Sequence, residues 1–309
     1  MKLVIPFGLP PGDIAHALIE PFAKRFPSTT HLLNARQAEL TPWPVQQHGC
    51  TACEALQLES LGYQASEAAP IGAGLGPLHA GIKDDPKPVW VAQFSSTVIR
   101  QEGATLVPYA LLEVSDAEAQ SLEQAAEPYF GSNNDGIEIT PVAKGIWRVH
   151  ADFELDTPTI SPQALLARDL GDWWPTTPYL RAWRKRVNEI QMAWHAHPVN
   201  LERESKGRPP INGVWLYGGG MPFEPIPQPD TVWVGQLQDY ALRSDWEQWL
   251  DNWAQVESIL LAADPQDAII LCNDERIVTL SNSPGRWWRH LFNKSSKESW
   301  RQWWLNNQS

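Results

Sequence analysis

Asn188 to Gly220 reads NEIQMAWHAHPVNLERESKGRPPINGVWLYGGG, and this stretch sets the fold class. Leading into it, Leu180, Trp183, Val187, Ile190 and Trp194 recur at alternating spacings of three and four. That spacing places one buried stripe along a helix predicted over residues 177–197. Pro198 stops the helix, and a polar turn follows. Val214 to Tyr217 then reads as a core strand that runs into Gly218, Gly219 and Gly220, where the backbone can turn tightly or approach a ligand. A helix, a polar turn and a core strand ending in glycine form a layout suited to a small polar ligand.

Outward from this centre, helices and strands alternate. Leu3 to Phe7 reads as a buried first strand, followed by a helix from about Asp13 to Lys24. Val89 to Phe94 reads as a strand, and Pro70 to Pro88, rich in Gly, Pro and Asp, as a loop. Ser115 and Glu118 have the spacing of a capping box opening a helix to about Glu127. Residues 136–139 and 146–153 alternate as a hairpin, Asp245 to Ala262 reads as a helix, and Ala268 to Cys272 as a core strand. The pattern predicts an α/β fold with a mixed sheet flanked by helices. A shift in composition after residue 155 suggests an N-terminal α/β portion, 1–155, and a second portion, 156–309, or one continuous domain.

Composition narrows the partners. A net charge of −12 disfavours nucleic acid and anionic membrane surfaces, and no apolar run is long enough to span a bilayer. Three cysteines cannot all pair, so a reducing, cytoplasmic setting is expected. Cys50 and Cys53 form a C-x-x-C near His48 without a second ligand pair, and read as ordinary cysteines opening a helix. Fourteen of the seventeen tryptophans follow residue 170. Trp287, Trp288, Trp300, Trp303 and Trp304 interleave with Arg286, Arg289, Lys294, Lys297 and Arg301. They predict a helical, tryptophan-rich C-terminus that docks its rings on the domain or offers them to a protein partner.

Within the central stretch, Arg203 offers a planar donor fork suited to phosphate or carboxylate. Asn200 and Asn212 can hold a hydroxyl or carbonyl, and His197 lies where the buried stripe meets Pro198. With Gly218, Gly219 and Gly220 they form the expected site for a small phosphorylated or carboxylated acid. His195 and His197 point apart on a helix, which disfavours a metal pair.

The run His197-Pro198-Val199-Asn200, Arg203, Gly207, Pro209-Pro210, Asn212, Trp215-Leu216, Gly218 and Gly220 resembles the motif of archaeal-type cofactor-independent phosphoglycerate mutases, members of the alkaline phosphatase superfamily. With Asn188, Glu189, Gln191 and Met192 it is similar to a bacterial phosphoglycerate-mutase-like family, also described as RpfE-type regulatory proteins. The resemblance implies a reduced or degenerate alkaline-phosphatase-like architecture. Such mutases use two divalent metals, a phosphoryl-carrying serine and an Asp-Gly after the first strand. Here that strand runs into Pro6-Phe7-Gly8. The resemblance therefore implies a regulatory or acid-binding relative without the two-metal centre and with no cofactor. The alternative is an active mutase or metal-dependent phosphatase using Mn or Mg, with ligands drawn from Asp13, His79, Asp84, Asp85 and Asp274. A third reading makes the central motif a brace between helix and strand.

Overall fold

The computed structural model describes residues 1–305 apart from 68, 101–102, 132–135, 154, 156–158, 167, 172, 175–176 and 283–298. The chain begins with β1 (Lys2–Ile5), α1 (Gly12–Arg25), α2 (Pro27–Ala35) and β2 (Gln37–Pro42). It continues through α3 (Val45–His48), α4 (Ala52–Ser60), α5 (Leu75–Ala80), β3 (Val89–Arg100) and β4 (Gly103–Pro108). Next come α6 (Tyr109–Leu112), α7 (Asp116–Ala126), β5 (Ile137–Ala143), β6 (Ile146–Ala151), α8 (Arg181–His195), α9 (Pro198–Ser205) and β7 (Gly213–Gly220). The last stretch holds β8 (Thr231–Trp233), α10 (Gln238–Leu242), α11 (Trp246–Ala262), β9 (Ala268–Cys272), β10 (Arg276–Ser281) and α12 (Ser299–Trp304).

Two compact units result, one of residues 1–44 with 227–309 and the other of residues 45–226. The boundary expected near residue 155 falls inside the second unit. The reason is a shared core: Ile137, Trp147 and Val149 of the hairpin pack in one cluster with Trp183, Val187, Ile190 and Trp194 of α8. Of the described helices, none is long and apolar enough to cross a membrane.

The first unit carries a mixed sheet of order β2-β10-β9-β1-β8, with β1 parallel to both β9 and β8. Leu3, Val4 and Ile5 are buried, as a strand flanked on both edges requires. Helix α12 packs against α1 and α2, with Trp300 and Trp304 on Phe22 and Trp304 also against Trp249 and Trp253. Rings of this size each withdraw on the order of 150–250 Å² from water. The described end of the tryptophan-rich tail thus turns its rings inward, while Arg301 pairs with Glu20 at the surface. Trp287, Trp288, Arg286, Arg289, Lys294 and Lys297 lie outside the described residues.

The second unit carries an antiparallel sheet in which β3 is the common strand. Trp90–Gln93 pair with β6, Ser95–Arg100 with β4, and Val89–Ser95 with β7. The capping box forms as expected: Ser115 Oγ accepts from Glu118 N–H, and the Glu118 carboxylate accepts from Ser115 N–H at 2.7 Å. Thr51 and Glu54 make a second such box, opening α4 between the two cysteines. Residues 70–88 are not simply a loop. A 3-10 turn over Ile71–Gly74 leads into α5, whose Gly76 permits close backbone contact: a Cβ there would lie 2.1 Å from the Val89 carbonyl oxygen.

Trp253 is fully buried, edge-on to Phe22 at 4.9 Å between centroids and 5.7 Å from Trp249. Trp253→Ala is expected to cost about 3–5 kcal/mol through the cavity it leaves, read by urea unfolding. A loss below about 1 kcal/mol would show that the indole cluster does not hold this unit together.

Candidate functional site

The central motif occupies the second unit, and its polar side chains are committed to the protein itself. Helix α8 ends at His195, and Pro198 begins α9, where its missing N–H costs nothing and its fixed φ suits a helix start. His197 is the N-cap of α9, its Nδ1 accepting from Val199 N–H at 3.3 Å, and burial lowers its pKa. What the sequence presents as a polar turn is therefore a second short helix.

Asn200, 1% exposed, copies a strand's hydrogen bonding with its side-chain amide. Its Nδ2 donates to the carbonyls of Ile211 at 2.8 Å and Trp194 at 2.9 Å, and its Oδ1 accepts from Ile211 N–H at 2.8 Å. Asn212 does the same for β3. Its Oδ1 accepts from Thr97 N–H at 2.7 Å and its Nδ2 donates to the Thr97 carbonyl at 3.0 Å, one step beyond the last β7 pair, Gly213 with Ser95.

Arg203, also 1% exposed, donates to the carbonyls of Pro209 and Leu112 and to Glu118 Oε1. Burial alone raises the Glu118 pKa, but hydrogen bonds from Ser115 and Arg203 outweigh it and leave the carboxyl below its ordinary value. Asn200, Arg203 and Asn212 thus spend these hydrogen bonds on the protein, joining Pro209, Ile211 and Asn212 to Leu112, Glu118 of α7, Trp194 of α8 and Thr97 of β3.

The glycines behave differently. Val89 pairs with Gly220 and Trp90 with Gly218, so Gly219 is the extra residue of a β-bulge, with φ of 89°. Gly218, with φ of 100°, lies against α5: a Cβ there would meet Gly76 Cα at 2.6 Å. The Trp90 indole covers Gly219 so closely that a Cβ would lie 2.4 Å from its ring.

Gly218 and Gly219 line a cavity of about 740 Å³ within this unit, together with Tyr63, Trp90, Phe153, Phe223, Thr159, Lys87 and His150. Lys87 Nζ donates to His150 Nε2 at 3.4 Å. No sequence spacing links residues 87 and 150. Strand pairing does, since Trp90 faces Val149 across β3 and β6. The one signal available was that Lys87 precedes a predicted strand and His150 lies within another.

Beneath β7 lies a buried polar group. The Glu54 carboxylate accepts from Thr51 N–H, Thr51 Oγ1 and Ser161 Oγ, the last at 2.6 Å, while burial raises its pKa. Tyr217, fully buried, shares a 2.7 Å hydrogen bond with His79 Nδ1. Burial and then the Glu54 charge push its hydroxyl pKa up, so it stays protonated. Burial lowers His79 to about 4. Cys50 is raised by burial and by Glu54 and Glu59, which keeps it a thiol rather than a nucleophile.

Among the residues considered as metal ligands, Asp13 and Asp274 belong to the first unit and His79, Asp84 and Asp85 to the second. Asp85 accepts from Lys87 N–H and pairs with Arg148 at 2.6 Å. Among the described residues, no three His, Cys, Asp or Glu side chains gather where a metal ion could be held. In the turn after β1, Phe7 is buried with φ of 55°, and its carbonyl accepts from Trp249 Nε1 at 2.8 Å.

No protein-family model and no curated protein matches the chain. Among solved structures, the PH0037 protein from Pyrococcus horikoshii is similar, at 12% identity over 91% of this chain and 86% of that one, with a TM-score of 0.43. A cofactor-independent phosphoglycerate mutase from Thermoplasma acidophilum DSM 1728 is similar at 14% identity over 92% and 90%, with a TM-score of 0.31.

Two outcomes test these placements. Arg203→Leu removes the hydrogen bonds to the Pro209 and Leu112 carbonyls and leaves Glu118 only its 3.7 Å ion pair with Arg208, so it is expected to destabilise the protein by about 3 kcal/mol in urea unfolding. A change within about 0.5 kcal/mol would restore Arg203 as a ligand-binding candidate. His79 has a folded pKa below its ordinary 6.5, so the unfolded chain binds more protons in between. Its contribution is complete above pH 6.5 and is lost as pH falls toward 4, on the order of 3 kcal/mol. His79→Gln should flatten that part of the stability–pH curve, and an unchanged slope contradicts the assignment.

Proposed function

We propose that this chain is a phosphoglycerate-mutase-like protein that binds a small phosphorylated or carboxylated acid in a regulatory capacity, without two-metal phosphoryl transfer. The binding site is the cavity beside the Gly219 bulge. One observation carries this reading. In a chain of net charge −12, the cavity has no carboxylate among its described lining residues and two cationic or protonatable ones, Lys87 and His150, side by side.

The electrostatics favour an anion there. Asp85 accepts from Lys87 N–H but is paired by Arg148, and Glu138 stands across the β5–β6 ladder from His150. Lys87 and His150 can then bridge one phosphate or carboxylate by charge-assisted hydrogen bonds, with His150 a stronger partner once protonated. Gly218 N–H is already donated to Thr159 Oγ1, so the side chains rather than that amide supply the contacts. The mutase resemblance of the central motif supports the class of ligand. The Phe7 turn supports the loss of transfer chemistry, because two-metal transfer needs carboxylates to hold the ions at the attacking and leaving oxygens.

Calorimetric titration at pH 7 with a panel of small phosphorylated and carboxylated acids, 3-phosphoglycerate among them, is expected to give saturable one-to-one heat. Lys87→Ala should weaken that binding about tenfold. Absence of saturable heat across the panel, or equal affinity in the Lys87→Ala variant, removes this reading.

A further inference from the structure

The cavity is larger and more aromatic than a short-chain acid requires. Its volume of about 740 Å³ lies in the range that encloses drug-sized molecules. Away from Lys87 and His150 its described lining carries no charged side chain and includes four aromatic rings. Tyr63 and Phe223 meet at 4.9 Å between centroids with planes inclined by 57°, and Trp90 and Phe153 also line it. The Trp90 indole is fixed from behind, because Gly219 leaves no room for it to retreat. Tyr63 is buried, Trp90, Phe153 and Phe223 are half-buried and Lys87 is exposed, so Lys87 stands at the solvent side of the lining and Tyr63 at its interior.

Resting on the site proposed above, we infer that the ligand is a planar aromatic or heteroaromatic molecule bearing one phosphate or carboxylate. The anionic group sits at Lys87 and His150, and the ring lies among Tyr63, Trp90, Phe153 and Phe223. A flat π-system gains from offset or edge contacts with such walls beyond what its area alone provides, whereas a saturated ring of similar size does not. A single anionic group is specified because, among the described lining residues, cationic groups stand at one place only.

Phenyl phosphate and cyclohexyl phosphate, which share charge and approximate size, separate the two halves of the argument by titration calorimetry on the full chain. Phenyl phosphate is expected to bind about tenfold more tightly, and Trp90→Leu or Phe153→Leu to erase that preference while phosphate affinity itself persists. Equal affinity for the two phosphates in the unaltered protein overturns the aromatic ligand class alone and leaves the anion site standing. No saturable heat with either phosphate overturns both. The comparison of ligands needs no variant, so a substitution that fails to fold does not leave the question open.

Discussion

Buried backbone amides need partners, and in the second unit the Asn200 side chain provides them where no strand reaches. By pairing with Ile211 and the end of α8, it fixes where the chain enters β7. Asn212 then ties that entry to Thr97, which sets the register of β7 on β3. Register decides the rest: shifted by one residue, Val214 and Leu216 would leave the core, and the bulge would no longer bring Gly219 under Trp90. The cavity thus depends on hydrogen bonds made at the opposite end of the strand.

How much of this was legible follows from the range of the forces involved. The stripe on α8, the Ser115 capping box, the β5–β6 hairpin and the core strands β1, β7 and β9 are set by local periodicity and capping, and the chain displays them openly. Helix α9 was hidden because Pro198, which ends one helix, also begins the next. Arg203, Asn200 and Asn212 were legible as a dense polar cluster but not in their partners within the protein. The same donors suit a phosphate or a set of orphan carbonyls, and only burial and partners distinguish the two. Lys87 and His150 were illegible as a pair, being joined by strand pairing rather than spacing.

In the first unit the turn after β1 shows how a site can be closed by packing. Ligands of open α/β sheets gather beyond the carboxyl ends of parallel strands. There, Phe7 takes a left-handed conformation that a bulky residue adopts only when its surroundings hold it, and the Trp249 indole does so through the Phe7 carbonyl. Across the same ends, Asn273 closes the β9–β10 turn and donates to the Pro10 carbonyl, which also receives Arg276.

The order of strands in the first sheet carries a consequence for how the protein is made. β1 is translated before its two neighbours, β8 and β9, which follow all of residues 45–226. The second unit, contiguous in sequence, has its whole core available while β1 still lacks both flanks. During that interval Leu3, Val4 and Ile5 form an apolar segment whose edges stay unpaired until β8 and β9 emerge.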